Sequence, residues 1–174
     1  TGADDVVLVI KSYLEPNASG NDKLAKVLRE ALERIKHPNP PRIVLLHRFM
    51  NSVELRALYG FADAYVSLSR AEGWGLPMHE AQLAGLPCIQ TDFSANAETF
   101  GAGALRVPAH ASPVYGFKHG EGQAWRNFYD CRGTWWEPAL VQAADIMRRV
   151  YEDPDFRLSA ARAGQASALE FTIE

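Results

Sequence analysis

The chain has 174 residues, 47% hydrophobic and 22% charged, which is an ordinary composition for a soluble globular protein. Its length suits one α/β domain with a single core. The formal net charge of −3 gives no indication of a general nucleic-acid binder, so any phosphate site must be local. No apolar run approaches the roughly 20 residues that a membrane span requires, and no signal peptide opens the chain.

Five short apolar segments predict buried strands, at residues 6–10, 43–46, 64–68, 87–90 and 104–107. Capped or amphipathic segments predict helices at residues 21–35, 51–59, 76–85, 138–151 and 155–168. Strands that alternate with helices indicate βα units. The predicted fold class is therefore α/β, with a Rossmann-like, doubly wound parallel sheet that binds ligands at the carboxyl ends of its strands.

A glycine-rich turn at residues 72–75 separates the third strand from the next helix. Its two glycines allow a ligand to approach the backbone and permit angles closed to other residues. Pro77 suits the first turn of a helix, where its missing N–H is not needed. Free amides of Leu76, Met78 and His79, together with the helix dipole, predict an anion site suited to a diphosphate.

Two carboxylates flank this turn, Glu72 before it and Glu80 one turn into the helix. The Glu80 carboxylate can accept two hydrogen bonds from vicinal hydroxyls, such as those of a ribose. Glu72 lies at the sheet edge, where it can hold sugar hydroxyls. From the turn alone, a second interpretation stays open: a tight strand-to-helix connection whose carboxylate complements the helix dipole.

The spacing of Glu72 and Glu80 resembles the Glu-x7-Glu motif of the retaining glycosyltransferases of family 4 (glycosyl transferases group 1), which have the GT-B fold. The resemblance is specific at residues 72–87 and extends over SVELRALYGFADAYVSLSRAEGWGLPMHEAQLAGLP, residues 52–87. It implies the C-terminal, nucleotide-sugar-binding half of a GT-B fold, as a single domain over residues 1–174. The chain is expected to be truncated at its start and end, to lack the acceptor-binding N-terminal domain, and to be inactive alone.

Carried over residue by residue, the resemblance implies that Glu72 and Glu80 are catalytic. Glu80 would bind the ribose and Glu72 the donor sugar. The residues implied to bind the nucleotide sugar are Lys11, His47, Arg48, Phe49, Gly73, Trp74, Gly75, Leu76, Glu80, Ser94 and Asn96.

Plainer roles stay open for several of these residues. Lys11 can be an exposed loop lysine, and Arg48 can pair with a surface carboxylate. His47 can be a satisfied side chain at a strand end. Ser94 and Asn96 can cap the helix that follows them instead of donating to sugar or phosphate.

The long segment at residues 109–136 shows no clear strand or helix and is rich in glycine and aromatic residues. Loops of this length are uncommon in compact domains and are often functional. Two interpretations stay open: an insertion folded on its own aromatic side chains, or a flap over the sugar end of the ligand.

The implied reaction moves a sugar from a UDP- or GDP-linked donor to an acceptor hydroxyl, with no cofactor. A metal is not expected, because helix amides and nearby cations can stabilise the developing negative charge. The implied partners are the donor and a glycan or lipid-linked acceptor, with no nucleic acid. The resemblance places this chemistry in polysaccharide biosynthesis.

A cytoplasmic location is expected, with a peripheral position at the inner membrane face also open. Cys88 and Cys131 are interpreted as free thiols in a reducing compartment. Two functions from other classes stay open as alternatives, a non-catalytic nucleotide-sugar-binding module and a nucleotide-sugar epimerase of the same fold. The presence of both Glu72 and Glu80 favours a transferase over a degenerate module.

Overall fold

The computed structural model describes residues 5–12, 19–35, 39, 41–99, 101, 103–114 and 133–171. The contacts within the chain define two compact units, Thr1–Leu55 and Arg56–Glu174. In the described part of the chain, every helix is too short or too polar to cross a membrane.

The first unit contains a parallel strand pair and the helix between its strands. Strand β1 (Val7–Ser12) pairs with β2 (Arg42–His47), and α1 (Ser19–Ile35) connects them. The register places Ser12 opposite His47, so the carboxyl ends of both strands lie side by side. The two predicted strands and the predicted helix are confirmed, with ends shifted by one or two residues.

A capping box begins helix α2 (Ser52–Phe61). The Asn51 Oδ1 accepts a hydrogen bond from the Glu54 N–H at 2.9 Å, and Glu54 Oε2 accepts one from the Asn51 N–H at 2.9 Å. Arg48 Nη1 also donates to Glu54 Oε1 at 2.7 Å. The bonds from Asn51 and Arg48 lower the pKa of Glu54. The predicted helix start at Asn51 is thereby confirmed.

The second unit contains a three-stranded parallel sheet in the order β3 (Tyr65–Ser67), β4 (Cys88–Thr91), β5 (Ala104–Val107). Helix α3 (Leu76–Leu83) connects β3 to β4, and the short α4 (Ala95–Thr99) follows β4. Successive residues of the buried β4 face opposite sides of the sheet. Cys88 packs with Met78 and Ala81 of α3, whereas Ile89 packs with Ala143 and Val150 of a later helix. Helical cover on both faces agrees with the predicted doubly wound sheet.

Two helices end the described chain, α5 (Leu140–Glu152) and α6 (Pro154–Leu169). Ala143 and Val150 of α5 lie in the core beside Ile89. Asp153 caps α6, since its Oδ1 accepts a hydrogen bond from the Phe156 N–H at 2.9 Å. Helix α6 packs against α3 and β5. Both predicted helices are confirmed.

The expectation that residues 109–136 lack regular structure is wrong at both ends of that segment. Strand β6 (Ala109–Pro113) pairs antiparallel with β7 (Thr134–Pro138), with Ala109 opposite Pro138. Neither strand shows a clear hydrophobic alternation. The two strands are stabilised by pairing between segments distant in sequence, so the local pattern did not reveal them. Residues 115–132 lie outside the described part, so the choice between an insertion and a flap stays a prediction.

Candidate functional site

Of the two glycines in the turn between β3 and α3, only Gly75 has a backbone conformation that is closed to most other residues. Gly75 caps α3 at φ 79° and ψ 40°, in the left-handed region that favours glycine. Gly73 is outside that region. A Cβ added to Gly73 would meet no atom of the described residues within 4 Å. Glycine at residue 73 is therefore not required by the fold, and its surface is open to a ligand.

The free amides at this turn are not the three that were predicted. The Met78 and His79 N–H groups both donate to the Gly75 carbonyl, at 3.0 and 3.1 Å. That carbonyl closes the first helical turn with both amides, so neither is available. In the described part of the chain, the N–H groups of residues 73–76 have no acceptor, and no side chain caps α3. The prediction of a free amide holds for Leu76. The other free amides are those of residues 73–75, in place of the predicted amides of Met78 and His79.

Glu72 is held at this turn by Ser94, which follows β4. The Ser94 hydroxyl donates to the Glu72 carbonyl at 2.6 Å and accepts from the Glu72 N–H at 3.3 Å. The Ser94 hydroxyl therefore bonds the main chain of Glu72 and does not cap α4, and its predicted contact with the donor stays a prediction.

Glu80 is exposed on α3 and hydrogen-bonds Tyr59 of α2. The Tyr59 hydroxyl lies 3.1 Å from Glu80 Oε2 and 3.1 Å from the Pro77 carbonyl. Within the described residues, Glu80 Oε1 has no hydrogen-bond partner. Burial raises the pKa of Tyr59 well above its ordinary value, and the charge and hydrogen bond of Glu80 add to this effect. Tyr59 thus orients Glu80 and leaves one carboxylate oxygen open.

Tyr65 of β3 has a pKa raised to about 12. Burial is the largest cause, and the charges of Cys88, Glu72 and Glu80 also raise it, in that order of size. Both predicted acids therefore contribute to the electrostatic environment of Tyr65.

We expect the free energy of unfolding to fall as the pH rises above 10. An unfolded tyrosine has a pKa of 10.0, whereas folded Tyr65 titrates near 12 and folded Tyr59 also above 10.0. Between these values the folded state binds more protons than the unfolded state, so raising the pH destabilises it; below 10.0 both states are protonated. Denaturant titrations on either side of pH 10 measure the slope.

Replacing Tyr59 with phenylalanine should flatten that slope. Tyr151 is 42% exposed on α5 and is the matched control, so Tyr151→Phe should leave the slope as in the wild type. A Tyr59→Phe slope equal to that of the wild type would contradict the expectation.

An aromatic cluster packs beside the turn. Trp74 is 45% exposed and Leu76 is 61% exposed, so both present apolar surface. The Phe171 ring meets the Trp74 ring and the His79 ring edge to face, each with centroids 6.1 Å apart. His79 therefore packs against an aromatic residue from the C-terminal end of α6.

Asn96 does not reach the surface with Ser94. Its side chain is fully buried, and its Nδ2 and Oδ1 have no hydrogen-bond partner among the described residues. Its carbonyl accepts a hydrogen bond from Gln90 Nε2 at 3.0 Å. A direct contact between Asn96 and the donor stays a prediction.

The other four predicted residues belong to the first unit, at the adjacent carboxyl ends of β1 and β2. Lys11 Nζ donates to the Ser12 carbonyl at 3.3 Å. The Nδ1 of His47 is buried without a hydrogen-bond partner among the described residues. Arg48 bonds Glu54, the surface carboxylate pairing foreseen as its plainer role, and Phe49 is 67% exposed.

Two residues at strand ends, Arg70 and Phe93, attach the β6–β7 pair to the site, although neither was among the predicted site residues. Arg70, which follows β3, bonds Glu137, and its Cζ lies 3.9 Å from the centroid of the Trp135 ring. Phe93, which follows β4, stacks on Trp136 with centroids 4.7 Å apart and planes at 17°. The position of Arg70 at a strand end was a usable signal, but its partners lie 65 or more residues away in sequence.

Comparison with known families identifies the class of protein. The sequence model of the family described as Glycosyl transferases group 1 matches residues 20–112, which is more than half of the chain. The chain therefore belongs to the group 1 glycosyltransferases. No curated protein matches the chain.

Solved structures share its fold. The chain matches a UDP-forming α,α-trehalose-phosphate synthase from Burkholderia xenovorans at 18% identity and a TM-score of 0.61, over 95% of this chain and 33% of that one. It matches an α,α-trehalose 6-phosphate synthase from Burkholderia multivorans at 16% identity and a TM-score of 0.58, over 94% of this chain and 31% of that one. The chain thus has an α/β fold of the GT-B type and spans about a third of the length of these structures.

Proposed function

We propose that this chain is the donor-binding, C-terminal half of a retaining glycosyltransferase of family 4. It moves a sugar from a UDP- or GDP-linked donor to an acceptor hydroxyl without a metal. The observation that carries the proposal is the uncapped tip of α3. There, four consecutive amides at residues 73–76 lack acceptors among the described residues, and Glu72 and Glu80 flank them.

The tip of α3 supplies the site for the diphosphate. Backbone N–H groups and the positive end of the helix dipole favour a bound anion. The same groups stabilise the negative charge that develops on the diphosphate as the sugar leaves. The open surface at Gly73 permits the close approach that such bonds require. The helix tip therefore supports both donor binding and departure of the leaving group.

The two carboxylates recognise different parts of the donor. Glu80 binds the ribose hydroxyls, since it is exposed and Tyr59 contacts only its Oε2 in the described structure. Glu72 contacts the donor sugar from the far side of the turn and stabilises the positive character that the sugar acquires as its bond breaks. Retention of configuration is part of the proposal and comes from the family resemblance.

The strand ends of the first unit supply the remaining donor contacts that the family resemblance implies. His47, Arg48 and Phe49 lie near the base, and Lys11 reaches phosphate. The buried Nδ1 of His47, which has no partner among the described residues, supports a role in ligand binding. In this proposal the acceptor binds to a separate N-terminal domain, as the family resemblance implies.

Calorimetric titration tests the proposal. The full-length protein is titrated in EDTA with UDP, GDP and the glucose conjugate of each, and UDP comes first because one similar enzyme is UDP-forming. We expect one diphosphate to bind, and its sugar conjugate to bind more tightly. Gly73→Ala should weaken binding about tenfold, because overpacking a contact surface costs about 1–3 kcal/mol.

The same variant separates binding from folding. A methyl group on Gly73 would meet no atom of the described residues within 4 Å, so thermal unfolding of Gly73→Ala should match the wild type. The proposal fails if the wild type binds neither diphosphate. The role of the turn fails if Gly73→Ala binds the diphosphate as tightly as the wild type does.

A further inference from the structure

Ser94 has a backbone conformation that its residue type does not favour. Its φ is 63°, and it is the one non-glycine residue with a positive φ in the described part of the chain. Serine in the left-handed region is strained, and such strain persists where surrounding contacts determine the conformation. The contacts that do so here are the two bonds between the Ser94 hydroxyl and the main chain of Glu72.

These two bonds restrain the residue that carries the carboxylate. One hydroxyl occupies both main-chain polar groups of Glu72, accepting from its N–H and donating to its carbonyl. Such reciprocal bonding opposes rotation of the Glu72 backbone, and therefore directs its Cα–Cβ bond. The half-buried Glu72 is five residues beyond the end of β3, where no strand ladder holds it. The loop after β4 thus fixes the loop after β3.

Contacts on both sides of this pair hold the two loops in place. Arg70, two residues before Glu72, bonds Glu137 of β7 and lies over the ring of Trp135. Phe93, next to Ser94, stacks on Trp136 of the same strand. Strand β7 therefore anchors both loops, so that the Ser94–Glu72 bonds act between supported segments.

We propose that Ser94 is a positioning residue that directs the Glu72 carboxylate toward the donor sugar. This inference rests on the proposed function, in which Glu72 contacts the sugar. It assigns Ser94 a role in recognising the sugar and none in recognising the diphosphate, which the tip of α3 binds. Loss of the Ser94 hydroxyl should therefore reduce the additional affinity that the sugar confers on the donor.

Two substitutions separate the hydroxyl from the backbone strain. Ser94→Gly removes the hydroxyl and relieves the strain, whereas Ser94→Ala removes the hydroxyl and keeps the strain. The full-length protein is titrated with UDP and UDP-glucose, or with GDP and GDP-glucose if the wild type prefers GDP. The measured quantity is the ratio of the affinity for the sugar conjugate to the affinity for the diphosphate.

We expect both variants to lower this ratio by about threefold to tenfold while the diphosphate binds as in the wild type. Ser159→Ala makes the same chemical change at an exposed position of α6 and should leave the ratio unchanged. Thermal unfolding of each variant establishes that it is folded, and Ser94→Gly keeps the test available if Ser94→Ala does not fold.

Three results would overturn the inference. The ratio could stay at the wild-type value in both variants, or fall only in Ser94→Ala, which would assign the effect to strain. Affinities for the diphosphate and the sugar conjugate could also fall equally, which would indicate a general role in folding. Failure of the wild type to bind any diphosphate is a different result, and it would remove the proposed function itself.

Discussion

Replacing Glu80 with alanine is expected to weaken nucleoside diphosphate binding by about 1–3 kcal/mol, roughly 5- to 150-fold, through the loss of charge-assisted hydrogen bonds to the ribose. The carboxylate is exposed on α3, and Tyr59 contacts its Oε2, so a ligand can reach Oε1. Calorimetric titration of wild-type and variant protein with UDP and GDP measures the loss. Unchanged affinity in Glu80→Ala would remove the ribose role.

Nucleotides that lack one ribose hydroxyl make this test specific. The wild type should bind 2′-deoxy-UDP more weakly than UDP, whereas Glu80→Ala should bind the two nucleotides equally. Tyr59→Phe keeps the carboxylate and removes one of its supports, so its effect should be smaller than that of Glu80→Ala. Glu98→Ala removes an exposed carboxylate of α4 and is the matched control. A variant at Glu80 that still distinguishes the two nucleotides would assign the hydroxyl contact to another residue.

Replacing Gly103 with alanine is expected to destabilise the protein by about 3 kcal/mol or more, because its added methyl group would overlap the backbone of α6. A Cβ on Gly103 would lie 1.9 Å from the Gly164 nitrogen and 2.3 Å from the Ala163 carbonyl carbon. Main-chain atoms of a helix cannot rotate away as a side chain can, so α6 must shift as a whole. Thermal unfolding should show a Tm lowered by roughly 6–12 °C.

Gly60→Ala is the matched control for this prediction. Gly60 lies in α2, and a Cβ there would meet no atom within 4 Å in the part of the chain that the structure describes. Alanine is favoured over glycine in a helix, so this variant should be as stable as the wild type or more stable by up to about 1 kcal/mol. If Gly103→Ala unfolds at the wild-type temperature, then β5 and α6 do not pack as closely as the structure shows.

Much of the fold was predictable because it depends on local patterns. Short apolar segments predicted β1 to β5, and hydrophobic periodicity with capping residues predicted α1, α2, α3, α5 and α6. The Asn51–Glu54 capping box is readable over four residues, and the spacing of Glu72 and Glu80 indicated the group 1 family. In each case the residues that cause the structure are close neighbours in sequence.

The sequence by itself determined the order of strands and helices and the two acids that flank the helix tip. Only the tertiary structure decided that β6 pairs with β7, that Ser94 holds Glu72, that Tyr59 orients Glu80 and that Asn96 is buried. The physical reason is distance along the chain. Ser94 and Tyr59 contact acids about twenty residues away, and such contacts form only once the sheet has brought separate loops and helices together.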